Sequence, residues 1–157
     1  MSFTWTPESL SALETLGKRY PDPQALVLPA LWKVQDQEGF IPLEGIDAVA
    51  ELTGRSRADV YGVATFYTMF HLQPVGTHHI QVCKTLSCAL NGQGSILDHL
   101  KEHLGIDVGE TTPDGRFTLT QVECLGSCGS GPVMQINETL HEHLTVGSVD
   151  DILKELS

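Results

Sequence analysis

The four cysteines are the feature that most constrains this chain. All of them lie in the second half, as a Cys83-x4-Cys88 pair and a Cys124-x3-Cys128 pair with 35 residues between the pairs. Each pair follows a short run of residues that predicts a β-strand, one ending near Val82 and the other near Val122. Because neighbouring parallel strands end at the same edge of a sheet, we expect a fold that brings both cysteine loops together.

The number and grouping of the cysteines favour a metal centre. Four thiolates are the ligand set of a [2Fe-2S] cluster, two for each iron. Structural zinc also takes four thiolates, but its loops are usually tighter, and both spacings here lie at or near the upper limit. Disulfides are disfavoured because no secretory signal is seen, which predicts a reducing cytosol. Four inert buried thiols would not explain the grouping. The predicted ligands are therefore Cys83, Cys88, Cys124 and Cys128, with zinc as the alternative metal.

The loop around the second cysteine pair is rich in glycine. Gly126, Gly129 and Gly131 lie within six positions of one another. Glycine permits positive φ angles and close approach of the backbone, so such a loop can direct N–H groups at sulfur. The hydroxyls of Thr85 and Ser87 are further candidate donors to sulfur.

Neither the histidines nor any nucleotide-binding motif in the sequence predicts a second site. We interpret His78-His79 and His141-Glu142-His143 as surface residues, because four thiolates leave no vacant ligand position and His141 and His143 share one face of a strand. The chain has no H-E-x-x-H, Walker or GxGxxG motif. No nucleotide site is predicted on this chain.

Charge and hydropathy exclude several classes of function. The net charge is −11, with five basic and nine acidic residues in 1–75 and four and eleven in 76–157. Such a surface is expected to repel nucleic acid and anionic membranes. The longest apolar stretch, Ala25 to Trp32, is broken by Pro29 and is too short to span a bilayer, which needs about 20 residues. We expect a cytoplasmic protein with a buried core, since 41% of its residues are hydrophobic.

The periodicity of apolar residues predicts an α/β protein in two domains. Residues 1–75 are predicted to form an N-terminal four-helix bundle, with Thr6, Asp22 and Ser56 as helix caps, and with a last helix from Arg57 to about His71. Residues 76–157 are predicted to form a four-stranded α/β domain that resembles thioredoxin folds. Its expected order is strand 79–82, helix 94–104, strands 117–122, 133–136 and 140–144, and helix 149–156.

The chain resembles a known family over nearly its whole length. The segments that carry the resemblance are Asp59-Val-Tyr-Gly-Val-Ala-Thr-Phe-Tyr67, Gln81-Val-Cys-Lys-Thr-Leu-Ser-Cys88 and Val122-Glu-Cys-Leu-Gly-Ser-Cys-Gly129. Together they are similar to the NuoE-type subunit of respiratory complex I, the NADH-quinone oxidoreductase. One departure is Gly131, which precedes Pro132 where many relatives carry a bulkier residue.

The resemblance implies a fold, in which an N-terminal helical bundle precedes a thioredoxin-like [2Fe-2S] ferredoxin domain, and it also implies a role. Cys83 and Cys88 would bind one iron of a [2Fe-2S] cluster, and Cys124 and Cys128 the other. The chain would exchange electrons with FMN on a NuoF-type partner that also binds NADH, beside a NuoG-type iron-sulfur subunit, in the cytoplasmic peripheral arm of a membrane-associated complex. It would have no catalytic residue of its own. Similar subunits serve NAD-dependent formate dehydrogenases and NAD-reducing hydrogenases, and the sequence leaves these alternatives open. We also expect residues 1–75 to provide a docking surface.

Overall fold

The computed structural model describes residues 3–156, and over this range it contains seven α-helices and one four-stranded sheet. The chain divides into two compact units between Pro74 and Val75. The first unit is helical and the second contains the sheet, which confirms the predicted α/β class. Independent folding of the two units as domains stays a prediction.

Four helices make the first unit. They are α1 (Pro7–Gly17), α2 (Val27–Glu38), α3 (Leu43–Thr53) and α4 (Arg57–Phe66), and a 3-10 turn, Pro23–Leu26, leads into α2. The predicted caps form: the hydroxyl of Thr6 accepts a hydrogen bond from the Ser9 N–H, and that of Ser56 accepts one from the Asp59 N–H. Asp22 caps the 3-10 turn. The buried face of each helix contributes to one apolar core, whose fully buried members include Leu31, Val34, Val49 and Val60.

Helix α4 is shorter than predicted. It ends at Phe66 because Tyr67 takes an extended conformation, so the predicted end at His71 is wrong. The side chain of Gln35 holds the turn that follows, since its carbonyl accepts a hydrogen bond of 2.7 Å from the His71 N–H. Phe70 still reaches the core through this turn, whereas Tyr67 is exposed.

The sheet of the second unit has strand order β2-β1-β3-β4. Strands β1 (His78–Cys83) and β2 (Phe117–Val122) are parallel, and β3 (Met134–Ile136) and β4 (Thr139–His141) continue the sheet in antiparallel pairing. Helices α6 (Gln93–Leu104) and α7 (Val146–Glu155) pack on it. Their buried residues join those of the strands in one core, which includes Ile80, Leu100, Leu119, Met134 and Val149.

Three details of this unit differ from the sequence-based expectation. A five-residue helix, α5 (Leu86–Leu90), carries Cys88 and was not predicted. Strand β4 ends at His141 because the chain turns through positive φ at His143. Helix α7 begins before the predicted Val149, since Thr145 and Ser148 form a reciprocal capping box. Among the described helices, none is both long and apolar enough to cross a membrane.

Candidate metal centre

The cysteine loops begin at the same end of two neighbouring strands. Strands β1 and β2 are parallel, and Cys83 lies opposite Val122 in their register. Cys83 is the last residue of β1, and Cys124 follows β2 by two residues. The expectation that parallel strands bring both loops to one edge is therefore confirmed. Helix α5 then presents Cys88, and a 3-10 turn, Cys128–Ser130, begins at the last cysteine.

The four sulfurs form two pairs that interact with each other. The sulfurs of Cys124 and Cys128 are 3.4 Å apart, and the thiols of Cys83 and Cys88 share a hydrogen bond. Electrostatic interactions of Cys83 with Cys124 and Cys128 join the pairs. All four residues are free thiols. Cys83 and Cys88 are buried, whereas Cys124 and Cys128 are exposed, so the group has one protected and one accessible side.

Contacts between the loops hold this arrangement. The Ser87 hydroxyl donates a 2.6 Å hydrogen bond to the carbonyl of Cys128, which ties α5 to the second cysteine loop. Ser87 thus braces the loops, whereas the sequence had suggested a bond to sulfur. Gly131 lies against Cys88, because a Cβ built at Gly131 would be 3.4 Å from the Cys88 sulfur. The glycine before Pro132 therefore brings the backbone close to a sulfur atom.

Hydrogen-bond donors from side chain and backbone point at the sulfurs. The Gly126 N–H donates a 3.3 Å hydrogen bond to the sulfur of Cys124, from a residue with φ of 82° that favours glycine. This bond lowers the pKa of the Cys124 thiol. The Thr85 hydroxyl lies 3.3 Å from the sulfur of Cys83. Burial acts to raise the pKa of Cys83, but the hydrogen bonds from Thr85 and from the backbone outweigh it, and the net change is a lowering.

The second thiol of each pair behaves in the opposite way. Burial raises the pKa of Cys88, and the hydrogen bond with Cys124 raises the pKa of Cys128. Each pair therefore combines a thiol whose pKa is lowered with one whose pKa is raised. A metal ion between the two would displace the remaining proton, because a coordinating thiol is deprotonated. Two thiol pairs with N–H donors directed at sulfur are a donor set that fits a [2Fe-2S] cluster.

One supporting residue was not found from the sequence. The hydroxyls of Ser127 and Ser130 both donate to the carboxylate of Glu142, which lies just beyond β4. These bonds lower the pKa of Glu142, so the carboxylate is held in its charged form. The His143 N–H donates to the Ser130 carbonyl at 2.7 Å in the same region. No motif spacing reveals this contact, since it depends on where the β4 segment meets the cysteine loop.

Comparison with known proteins agrees with this geometry. Residues 13–157 match the thioredoxin-like [2Fe-2S] ferredoxin family. The chain is 44% identical to the second E-type subunit of the NADH-quinone oxidoreductase of Rhizobium meliloti, over 90% of this chain and 84% of that protein. It is 43% identical to the mitochondrial NADH dehydrogenase [ubiquinone] flavoprotein 2 of Dictyostelium discoideum over 98% of this chain, and spans 64% of that protein.

The fold has a counterpart among solved structures. It matches part of the NAD+-reducing [NiFe]-hydrogenase in the H2-reduced state with a TM-score of 0.73 and 18% identity, over 83% of this chain and 22% of that chain. This likeness concerns the fold. The family match and the relatives at more than 40% identity show that the chain belongs to the thioredoxin-like [2Fe-2S] ferredoxin family, in the group of E-type subunits of NADH-quinone oxidoreductases.

Proposed function

We propose that Cys83, Cys88, Cys124 and Cys128 hold a [2Fe-2S] cluster and that the chain is the electron-carrying E-type subunit of an NADH-quinone oxidoreductase. In this proposal Cys83 and Cys88 bind one iron and Cys124 and Cys128 the other. The observation that carries it is the meeting of two thiol pairs at the ends of adjacent parallel strands, in a chain of this family. A bound cluster supplies one-electron transfer without proton chemistry.

The chain's own residues would position and tune the cluster. Cys83 and Cys88 pack with Val133 and Leu125, which keeps water from the inner side. The donors at Thr85 and Gly126 offset negative charge on sulfur, and hydrogen bonds of this kind raise the reduction potential. The exposed pair, Cys124 and Cys128, would leave the other side open to a redox partner. No residue need act as acid, base or nucleophile, because hydride chemistry belongs to a flavin.

The electron partner is proposed to be a NuoF-type subunit that carries FMN and the NADH site, with a NuoG-type subunit in the same cytoplasmic peripheral arm. Its docking surface on this chain is proposed to include Leu86 and Leu90, which are 75% and 77% exposed on α5, on either side of Cys88. Large apolar side chains with this exposure beside a redox centre are typical of a protein-binding patch.

Serine at both positions tests this docking surface. We expect the Leu86→Ser/Leu90→Ser variant to retain its iron but to co-purify poorly with the flavin subunit, because the apolar contact is lost. The matched control is Val108→Ser, which changes an apolar residue that is 39% exposed in the sheet-containing unit and lies outside the cysteine loops. Equal recovery of the flavin subunit with the double variant and with the wild type would contradict a docking role for α5.

The same electron-carrying subunit could serve other enzyme complexes, which differ in the partner subunits. Subunits of an NAD-dependent formate dehydrogenase or NAD-reducing hydrogenase would have the same cluster. Relatives named as NADH-quinone oxidoreductase and NADH dehydrogenase subunits, at 43–44% identity, favour the respiratory complex. Neighbouring genes for membrane-embedded proton-pumping subunits would support this choice, and genes for a hydrogenase or molybdenum subunit would contradict it.

Spectroscopy of the purified chain tests the cluster itself. Material prepared anaerobically should be coloured, contain two irons and two sulfides per chain, bleach on reduction and give an EPR signal when reduced. Alanine at Cys124 should abolish this spectrum, whereas Ser95→Ala in α6 should leave it intact. A colourless protein with stoichiometric zinc would instead establish the zinc-stabilised interaction module.

A further inference from the structure

We propose that His99, His103 and Asp150 form a second metal site, which binds a divalent ion of the zinc type on the helices of the sheet-containing unit. His99 and His103 lie one turn apart on α6, and Asp150 lies on α7. One ligand atom from each residue is within 4.8 Å of the other two. Nothing in the electron-transfer function described above uses these residues.

The distances between the ligand atoms are close to the distances that separate the ligands of a coordinated metal ion. Nε2 of His99 is 2.7 Å from Oδ1 of Asp150, and Nδ1 of His103 is 3.6 Å from the same oxygen. Tetrahedral zinc with bonds of 2.0–2.1 Å separates its nitrogen and oxygen ligands by about 3.3 Å. Small rotations of the two imidazoles would therefore place all three atoms around one ion. The His99–Asp150 hydrogen bond would be exchanged for two bonds to the metal.

The backbone positions of His99 and Asp150 are fixed by buried neighbours in the core. His99 precedes Leu100, and Asp150 follows Val149, and both of these apolar side chains have no exposed surface. Leu100 and Val149 belong to the core that joins α6 and α7 to the sheet. A site on packed helices is held more firmly than one on loops, so little ordering is needed when the ion binds.

The donor set indicates which ions would bind. Two imidazole nitrogens and one carboxylate oxygen suit zinc and related transition metals, whereas calcium and magnesium prefer oxygen ligands. The carboxylate supplies negative charge, and three protein ligands leave a fourth position for water. The side chains of His99, His103 and Asp150 are 23%, 45% and 35% exposed, so the ion can enter from solvent. The neighbouring cation, Lys154, forms its ion pair with Asp151 at 3.2 Å and not with the proposed ligand Asp150.

Zinc titration of the full chain, followed by calorimetry, tests the site. The cluster-loaded chain is used so that the cysteines do not compete, and its iron content is followed throughout. If the chain takes up no cluster, the proposed electron-transfer function fails by itself, and the titration is made after alkylation of the thiols. We expect one zinc per chain, and shifts of the ring nitrogen NMR signals of His99 and His103.

Substitutions of two ligands decide between a metal site and a simple contact between helices. His103→Gln and Asp150→Asn should each weaken zinc binding at least about tenfold, whereas His141→Gln, at a histidine on β4, should bind zinc as the wild type does. His103→Gln keeps the close His99–Asp150 pair, so circular dichroism is expected to show an unchanged fold. The proposal is overturned if the wild type binds no more zinc than Asp150→Asn, or if His141→Gln loses as much affinity as His103→Gln.

Discussion

The environments of individual sulfurs differ more than the symmetry of the two cysteine pairs suggests. In each pair the pKa of one thiol is lowered, and donors act on its sulfur, among them Thr85 on Cys83 and Gly126 on Cys124. The hydroxyl of Thr85 acts on Cys83 beside backbone donors, whereas the donor from Gly126 is a main-chain N–H. Of these two donors, only the Thr85 hydroxyl can be removed by a substitution that preserves the backbone.

Thr85→Val is expected to lower the reduction potential of the proposed cluster. Valine keeps the shape of threonine but removes the hydroxyl 3.3 Å from the Cys83 sulfur. A net hydrogen bond of about 0.5–1.5 kcal/mol corresponds to about 20–65 mV for one electron. The midpoint potential is measured by redox titration monitored by EPR, and Thr139→Val on β4 is the matched control. An unchanged potential with unchanged iron content would contradict the tuning role of Thr85.

Glu142→Gln is expected to weaken retention of the proposed cluster. The carboxylate accepts hydrogen bonds from Ser127 and Ser130, which flank Cys128 in the loop. A neutral amide is a poorer acceptor for both hydroxyls, so the loop should open more often and the cluster should decay severalfold faster in air. Decay of visible absorbance measures this rate. Glu138→Gln changes an exposed carboxylate in the β3–β4 turn and should decay at the wild-type rate.

At the scale of secondary structure elements, the sequence predicted what depends on local periodicity. The ends of β1 and β2 follow from alternating residues, and these ends locate the cysteine loops. The end of α4 did not follow, because Gln35 fixes the turn after Phe66 from a distant part of the chain. Helix α5 was not predicted because five residues are too few to show helical periodicity.

The same distinction applies to the candidate sites. The cysteines were found because the two members of each pair are close in sequence. Glu142 was missed because its partners come from another segment. The i, i+4 spacing of His99 and His103 indicates a metal site only together with Asp150, which is 51 residues from His99 and is placed beside it by α7. Contacts made by tertiary packing leave no local pattern in the sequence.

Gly76→Ala is expected to disturb the start of the β1–β2 pairing. A Cβ at Gly76 would lie 2.8 Å from the carbonyl carbon of Arg116 and 2.9 Å from the nitrogen of Phe117, and main-chain atoms in a sheet cannot yield easily. We expect the free energy of unfolding to fall by about 1–3 kcal/mol, as is usual for overpacking. Urea denaturation measures the change.

A second glycine provides the control for this substitution. Gly94 lies in α6, and apart from its chain neighbours and the adjacent helix backbone no atom comes within 4 Å of the position that a Cβ would take, so alanine meets no obstruction there. Gly94→Ala should be neutral or stabilise the chain by up to about 1 kcal/mol, since alanine favours helix. Equal destabilisation by both substitutions would show that steric contact at Gly76 is not the cause.

At the scale of the whole molecule, each unit has the components of a separate domain. The buried core of the helical unit is built from residues 13–70, and that of the sheet-containing unit from residues 80–153. All four cysteines lie in the second unit, together with the residues that brace their loops. The proposed cluster therefore requires no residue of the first unit, which leaves the helices available for another role, and docking to a partner subunit is the role we propose.

Separation of the chain at Pro74 tests both proposals at once. The fragment 75–157 is expected to fold and to retain the iron content and EPR signal of the full chain, because its core and all four cysteines lie within it. Its affinity for the flavin subunit should be lower than that of the full chain, since the contacts of the helical unit are lost, and the fragment 1–74 should bind the flavin subunit weakly by itself. Loss of the cluster from fragment 75–157 would contradict the two-domain organisation. Undiminished binding by the same fragment would contradict docking through the helices, so the two proposals can fail separately.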